Sequence, residues 1–190
     1  MALRVVVVGI PGVGKTTVVQ GVVAGYPGAR LVGFGTLMFE SARSLGWVRN
    51  RDEMRKMSVE RQKRLQKIAA AKIARIKGKA VIVDTHLFIR TEEGFWPGLP
   101  FEVVRAMRPT HLVLVEAAPE DIAKRRSSDA TRYRDAVTVE NLREELLLGR
   151  AFITVSSTLT GAPITIVQNE QGKQDEVAKT LVRMLELAKR

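Results

Sequence analysis

Eight residues near the start, Gly9-Ile10-Pro11-Gly12-Val13-Gly14-Lys15-Thr16, limit what this chain can fold into more than any others. They match the phosphate-loop pattern G-x-x-x-x-G-K-[ST] at every fixed position. The valines at 5–8 that precede them read as a buried strand and residues 15–24 read as a helix, so the glycines fall where a strand must turn sharply into a helix. A loop of this kind folds its N–H groups inward around an anion, and the helix N-terminus adds a positive dipole end. Lys15 then reaches the β- and γ-phosphates of a nucleoside triphosphate, while Thr16 offers its hydroxyl to Mg²⁺. The pattern assigns Gly9, Ile10, Pro11, Gly12, Val13, Gly14, Lys15, Thr16 and the adjoining Thr17 to ATP binding.

The rest of the chain alternates in the way such a loop requires. Strands are expected at 4–8, 30–34, 79–84, 111–115 and 163–167, with helices at 15–24, 37–45, 58–77, 119–126, 138–159 and 173–189. Parallel strands need long crossovers, and those crossovers cover the sheet. The expected fold is therefore α/β: a P-loop NTPase fold with a five-stranded parallel sheet and helices on both faces. No repeat, low-complexity tract or linker divides the 190 residues, so a single domain is expected.

Two stretches interrupt the alternation. Between the second and third strands lie two helical segments joined by the charged run Arg49-Asn50-Arg51-Asp52-Glu53-Met54-Arg55-Lys56, an inserted helical arm at about 35–78. The run from Arg125 to Asp135 has no apolar period and packs arginines into what reads as a polar loop, a short lid at about 125–137.

Composition removes several alternatives. Without cysteine there are no disulfides or thiolate metal sites, and two histidines, His86 and His111, are too few for a structural zinc site. Any metal is therefore expected to be held by oxygen. No apolar run approaches the roughly 18 residues of a membrane helix, and a cytoplasmic protein with no membrane partner is expected. The formal charge of +11 favours anionic partners. Aromatic residues make up only 5% and no nucleic-acid motif is present, so nucleic acid stays a partner suggested by charge alone.

Further residues complete a phosphoryl-transfer site. Asp84 closes the third strand and puts a carboxylate where Mg²⁺ or its waters would lie beside the phosphate loop. Arg90 follows six residues on, placed to clamp an acceptor phosphate. Arg125, Arg132, Arg134 and, on the next helix, Arg150 carry forked donors that match phosphate oxygens two at a time. His111 opens a buried strand and His86 has no nucleophile to serve, so neither is assigned a role.

The phosphate loop, the run Arg51-Asp52-Glu53-Met54-Arg55-Lys56-Met57-Ser58, the stretch Val83-Asp84-Thr85-His86 with Ile89-Arg90-Thr91, and Pro97-Gly98-Leu99-Pro100 together resemble the archaeal-type adenylate kinases over nearly the whole chain. The resemblance implies reversible, Mg²⁺-dependent transfer of a phosphoryl group from ATP to AMP. It implies that Gly35, Thr36, Arg55, Arg90, Gly98 and Leu99 bind AMP. Arg125, Arg132, Arg134 and Arg150 would grip the donor phosphates, Asn169 and Glu170 would lie near the donor adenine, and Lys15, Arg90, Arg132 and Arg134 would act in catalysis. It further implies a homo-oligomer, a trimer in many relatives. The competing readings are another small P-loop kinase with a different acceptor and a basic P-loop protein that binds nucleic acid. A regulatory GTPase is disfavoured because no Asn-Lys-x-Asp motif appears.

Overall fold

A computed structural model describes residues 2–91, 94–128 and 138–188. Its centre is a five-stranded parallel sheet in the order β2-β3-β1-β6-β7. The strands are β1 (Leu3–Val8), β2 (Ala29–Gly33), β3 (Ala80–Asp84), β6 (His111–Glu116) and β7 (Ile164–Gln168). β1, β3 and β6 are almost wholly buried, as expected of parallel strands covered by helices on both faces, and this is why they read as β-branched runs. Around the sheet lie α1 (Lys15–Gly25), which packs on α8 (Gln174–Leu187), together with α5 (Phe101–Met107), α6 (Pro119–Ser128) and α7 (Val139–Thr160). One apolar core runs through both layers, from Val5 and Ile82 in the sheet to Leu142, Ile153 and Leu181 in the helices.

All five predicted strands are present. β1 has β3 on one side and β6 on the other; the connection leaving β1 passes over β3 to reach β2, whereas the one leaving β6 runs the opposite way to β7, so the connections diverge between β1 and β6. In open α/β sheets the crevice at the carboxyl ends of such a pair of strands is where ligands bind, and the phosphate loop follows β1 directly.

The segment between β2 and β3 has a core of its own. α2 (Phe34–Ser44), α3 (Arg51–Arg55) and α4 (Val59–Arg75) enclose buried Ala42, Val48 and Leu65, with Phe39, Trp47, Met54 and Met57 packed around them. Met38 touches both this cluster and the main core. Within the charged run expected as a joint, α3 forms because Asn50 caps it, its side chain accepting from the Glu53 N–H at 2.9 Å. The Glu53 carboxylate in turn accepts from Arg49 N at 2.7 Å and from Asn50 Nδ2 at 3.0 Å.

Three features differ from the sequence reading. An antiparallel hairpin, β4 (Phe88–Thr91) and β5 (Gly94–Pro97), follows β3, and α5 supplies the crossover to β6. The third is a correction: residues 125–128 are the last turn of α6 rather than loop. Ser127 and Ser128 hydroxyls donate back to the carbonyls of Lys124 and Arg125, at 2.9 and 3.1 Å, while Arg125 and Arg126 side chains are tied to neighbouring elements, so the helix continues without an apolar stripe. The remainder of the expected lid, with Arg132 and Arg134, lies outside the described residues.

Candidate active site

The phosphate loop bridges the end of β1 and the start of α1. Gly12 and Gly14 both have positive φ, +92° and +82°, which side chains rarely adopt. At Gly14 the demand is also spatial, because a Cβ there would lie 2.3 Å from Nδ2 of Asn169. The outer side of the loop is held by side chains. Arg126 Nε donates to Pro11 O at 2.8 Å, Arg125 Nη1 to Gly12 O at 3.4 Å, and Asn169 Nδ2 to Val13 O at 2.8 Å. Three successive carbonyls are thus engaged from α6 and from the segment after β7.

Lys15, only 8% exposed, begins α1 and donates to Oδ1 of Asp84 at the end of β3. The strand register explains the meeting, since Asp84 pairs with Val7 of β1, two residues before the loop begins. Thr16 and Thr17 are exposed on the first turn of α1. One hydroxyl and one carboxylate, with phosphate oxygens and water for the rest, is the donor set Mg²⁺ takes in nucleotide sites, and the chemistry of Thr16 and Asp84 fits it. No group of three or more His, Cys, Asp or Glu able to hold a metal alone exists among the described residues.

Arg125 also donates to Asn169 O at 3.1 Å and to Gln171 Oε1 at 3.2 Å, linking the phosphate loop to the segment after β7. Asn169 is buried, and its Oδ1 has no hydrogen-bond partner among the described residues. Arg150 makes a two-pronged contact with buried Glu116, at 2.8 and 2.7 Å, and these bonds push its pKa further upward. Gln168 donates to the same carboxylate at 2.8 Å.

A family model described as an AAA domain matches residues 8–143. An adenylate kinase of Thermoplasma acidophilum is 44% identical over 183 residues, covering 96% of this chain and 98% of the relative. Those of Methanocaldococcus jannaschii and Pyrococcus furiosus are each 40% identical, covering 95% and 99% of this chain and 97% of either relative. The chain belongs to the adenylate kinase family. Among solved structures, shikimate kinase from Bacteroides thetaiotaomicron superposes with a TM-score of 0.63 at 14% identity, covering 97% of this chain and 98% of that one. A shikimate kinase from Acinetobacter baumannii gives 0.58 at 16%, covering 98% and 94%. At such identities the likeness speaks for the fold alone.

A cleft of about 360 Å³ lies between α4 and the hairpin. Val59, Gln62, Lys63 and Gln66 line one side, and Phe95, Trp96, Pro97 and Pro100 the other. Of the residues expected to bind the acceptor, Gly98 and Leu99 are buried immediately beyond β5, with the Gly98 N–H donating to Leu87 O at 2.7 Å. Gly35 and Thr36 open α2, and Thr36 Oγ1 accepts from Arg51 at 3.1 Å. The backbones of Arg55 and Arg90 lie on α3 and β4, Arg90 paired in register with Phe95.

Sequence reasoning missed Glu116 and Glu145, two acids that are buried and paired with arginines. For Glu116 a signal existed, a carboxylate closing an otherwise apolar strand. Glu145 stands in an ordinary helical repeat, and nothing in its spacing marks it.

Proposed function

We propose that this chain catalyses direct, reversible transfer of the γ-phosphoryl group of MgATP to AMP, yielding two ADP. The observation that carries the reading is the phosphate loop with Lys15 buried at its mouth against Asp84, in a chain related end to end to adenylate kinases. An oxygen of the AMP phosphate forms the new bond to the γ-phosphorus. The bond from that phosphorus to the β–γ bridging oxygen breaks, and its electron pair stays with the departing ADP. AMP phosphate is already ionised at neutral pH, so no general base is required.

The protein's contribution is placement and charge. Lys15 leaves Asp84 for the donor phosphates, and Thr16 and Asp84 would hold the metal. Mg²⁺, when bound, neutralises charge on the β- and γ-phosphates. Arg55 and Arg90 hold the AMP phosphate, with Gly35, Thr36, Gly98 and Leu99 around the acceptor. Arg125, Arg132, Arg134 and Arg150 serve the donor, with Asn169 and Glu170 near its adenine. Residues 35–78 act as the acceptor arm, and residues 125–137, which begin in the last turn of α6, as the closing lid. The reading includes a cytoplasmic homo-oligomer, whose mass light scattering would give.

The test is product analysis after mixing the protein with MgATP and each of AMP, CMP, UMP, GMP, dTMP and shikimate. Two ADP formed for each AMP consumed, faster than with any other acceptor, is the expected outcome. Preference for another acceptor would keep the mechanism and replace the substrate.

A further inference from the structure

Arg126 and Glu145 form an ion pair at 2.9 Å in which both side chains are nearly removed from solvent, at 9% and 7% exposure. Buried pairs of this kind cost desolvation and are weak devices for stability alone. This one has a third member, because the same guanidinium donates Nε to Pro11 O of the phosphate loop. The described peptide bonds are all trans. In a planar trans peptide the N–H of one residue points opposite to the carbonyl of the residue before it. Fixing Pro11 O therefore aims the N–H of Gly12. The Val13 N–H is already spent on a turn to Ile10 O at 3.4 Å, so the Gly12 N–H is one that the loop can turn toward an anion. The arginine stem also lies against the loop, since a Cβ on Gly12 would come within 3.1 Å of Arg126 Cγ.

We propose that Arg126, oriented by Glu145, is a positioning residue of the donor site, which sets the Pro11–Gly12 peptide so that the Gly12 N–H faces the donor phosphates. It acts through backbone and does not touch the nucleotide. The inference rests on the phosphate loop being the ATP site. Two nitrogens of one planar guanidinium, Nε and Nη2, serve the two partners, and the single nitrogen of a lysine cannot reproduce both positions.

The test uses the whole protein with Arg126→Lys, the double variant Arg126→Met/Glu145→Met, which removes both members of the pair together, and Glu145→Gln. ATP affinity is read by titration calorimetry without acceptor, alongside kcat, both KM values and the melting temperature. In the double variant we expect ATP dissociation constant and KM to rise about tenfold, AMP KM to stay within about twofold, and melting to shift by only a few degrees. Arg126→Lys should fall between the double variant and the parent. Should the double variant fail to fold, Glu145→Gln is expected to weaken ATP about threefold with AMP KM unmoved. Unchanged ATP affinity in the folded variants, or both KM values rising together with loss of melting temperature, would overturn the proposal. So would a fall in kcat at saturating substrate with ATP affinity intact, which would make Arg126 a catalytic residue. Failure of the parent protein to phosphorylate AMP while binding ATP would remove the acceptor assignment and leave this inference standing.

Discussion

The phosphate loop and the segment between β2 and β3 are built in opposite ways. The loop is short and tied down from without: Arg125 and Arg126 of α6 and Asn169 after β7 take three successive carbonyls, and Glu145 of α7 holds one of the arginines. Helices α2 to α4 enclose a small cluster of Ala42, Val48 and Leu65, while Phe34 of α2 and Ala69, Ala70 and Ile73 of α4 are buried in the main core and Met38 touches both. The first arrangement suits a cradle whose amides must be aimed before the nucleotide arrives. The second is the arrangement that the proposed function would use for an arm able to shift against the sheet. The arm is also where the charge sits: residues 34–78 hold twelve Lys or Arg against four Asp or Glu, a surplus of eight within the chain's eleven. Several of these cations lie on rings, Arg61 and Arg64 each 5.3 Å from the centre of Trp47 and Arg51 at the same distance from Phe39.

The largest expected effects lie at the chemistry itself. Lys15→Met and Arg90→Ala should each lower phosphoryl transfer by a factor on the order of 10³, the first raising the KM for ATP and the second that for AMP, as a coupled ADP assay would read. Near-normal activity in the Arg90 variant would remove that residue from the site. A sharper probe of the contrast is Leu65→Ala, which opens a cavity in the small core and should cost about 3 kcal/mol there. AMP KM should rise while calorimetric ATP affinity holds, and a parallel loss of ATP affinity would mean that the arm is not a separate body. Smaller still, Arg61→Gln with Arg64→Gln should lower kcat/KM for AMP about threefold at low salt, through weaker steering of an anion, and the deficit should close as salt rises. A deficit that persists at high salt would point to direct contact instead.

The smallest effect is a pH dependence away from the site. Burial holds the His111 imidazole below its ordinary value of 6.5, so the folded state keeps it neutral while the unfolded chain takes up a proton first. Its contribution is intact above about pH 6.5 and is lost as pH falls below that value, because there the unfolded state binds more protons. Chemical denaturation between pH 7 and 5 should decline less steeply in His111→Gln than in the parent.

Much of the architecture was legible because parallel strands covered on both faces must be apolar throughout, as Val5 to Val8 and Leu112 to Val115 are. The phosphate loop was legible because its glycines and Lys15 are fixed by local geometry. The hairpin was not, since each of its strands has only four residues, and the seven residues of α5 are too few for a helical period to stand out. The end of α6 misled for a related reason, because its last turn is held by side-chain ties and not by an apolar stripe. The ties on the loop join Pro11 to Arg126 and Val13 to Asn169, 115 and 156 residues apart, and no spacing rule reports contacts of that range. Asp84 was legible as a strand-end carboxylate, whereas its pairing with Lys15 emerges only from the register of β1 against β3.

The small core of the arm has a consequence for how the molecule opens. Regions with few buried apolar contacts unfold locally at a fraction of the global free energy, and core strands only when everything unfolds. Amide protons of α3 and of the parts of α2 and α4 around Ala42 and Leu65 should therefore exchange with solvent deuterium through brief excursions of the arm alone, while those of β1, β3 and β6, and of α4 around Ala69 to Ile73, wait for more complete unfolding. The chain would carry two clocks, with Met38, packed into both cores, marking the boundary between them.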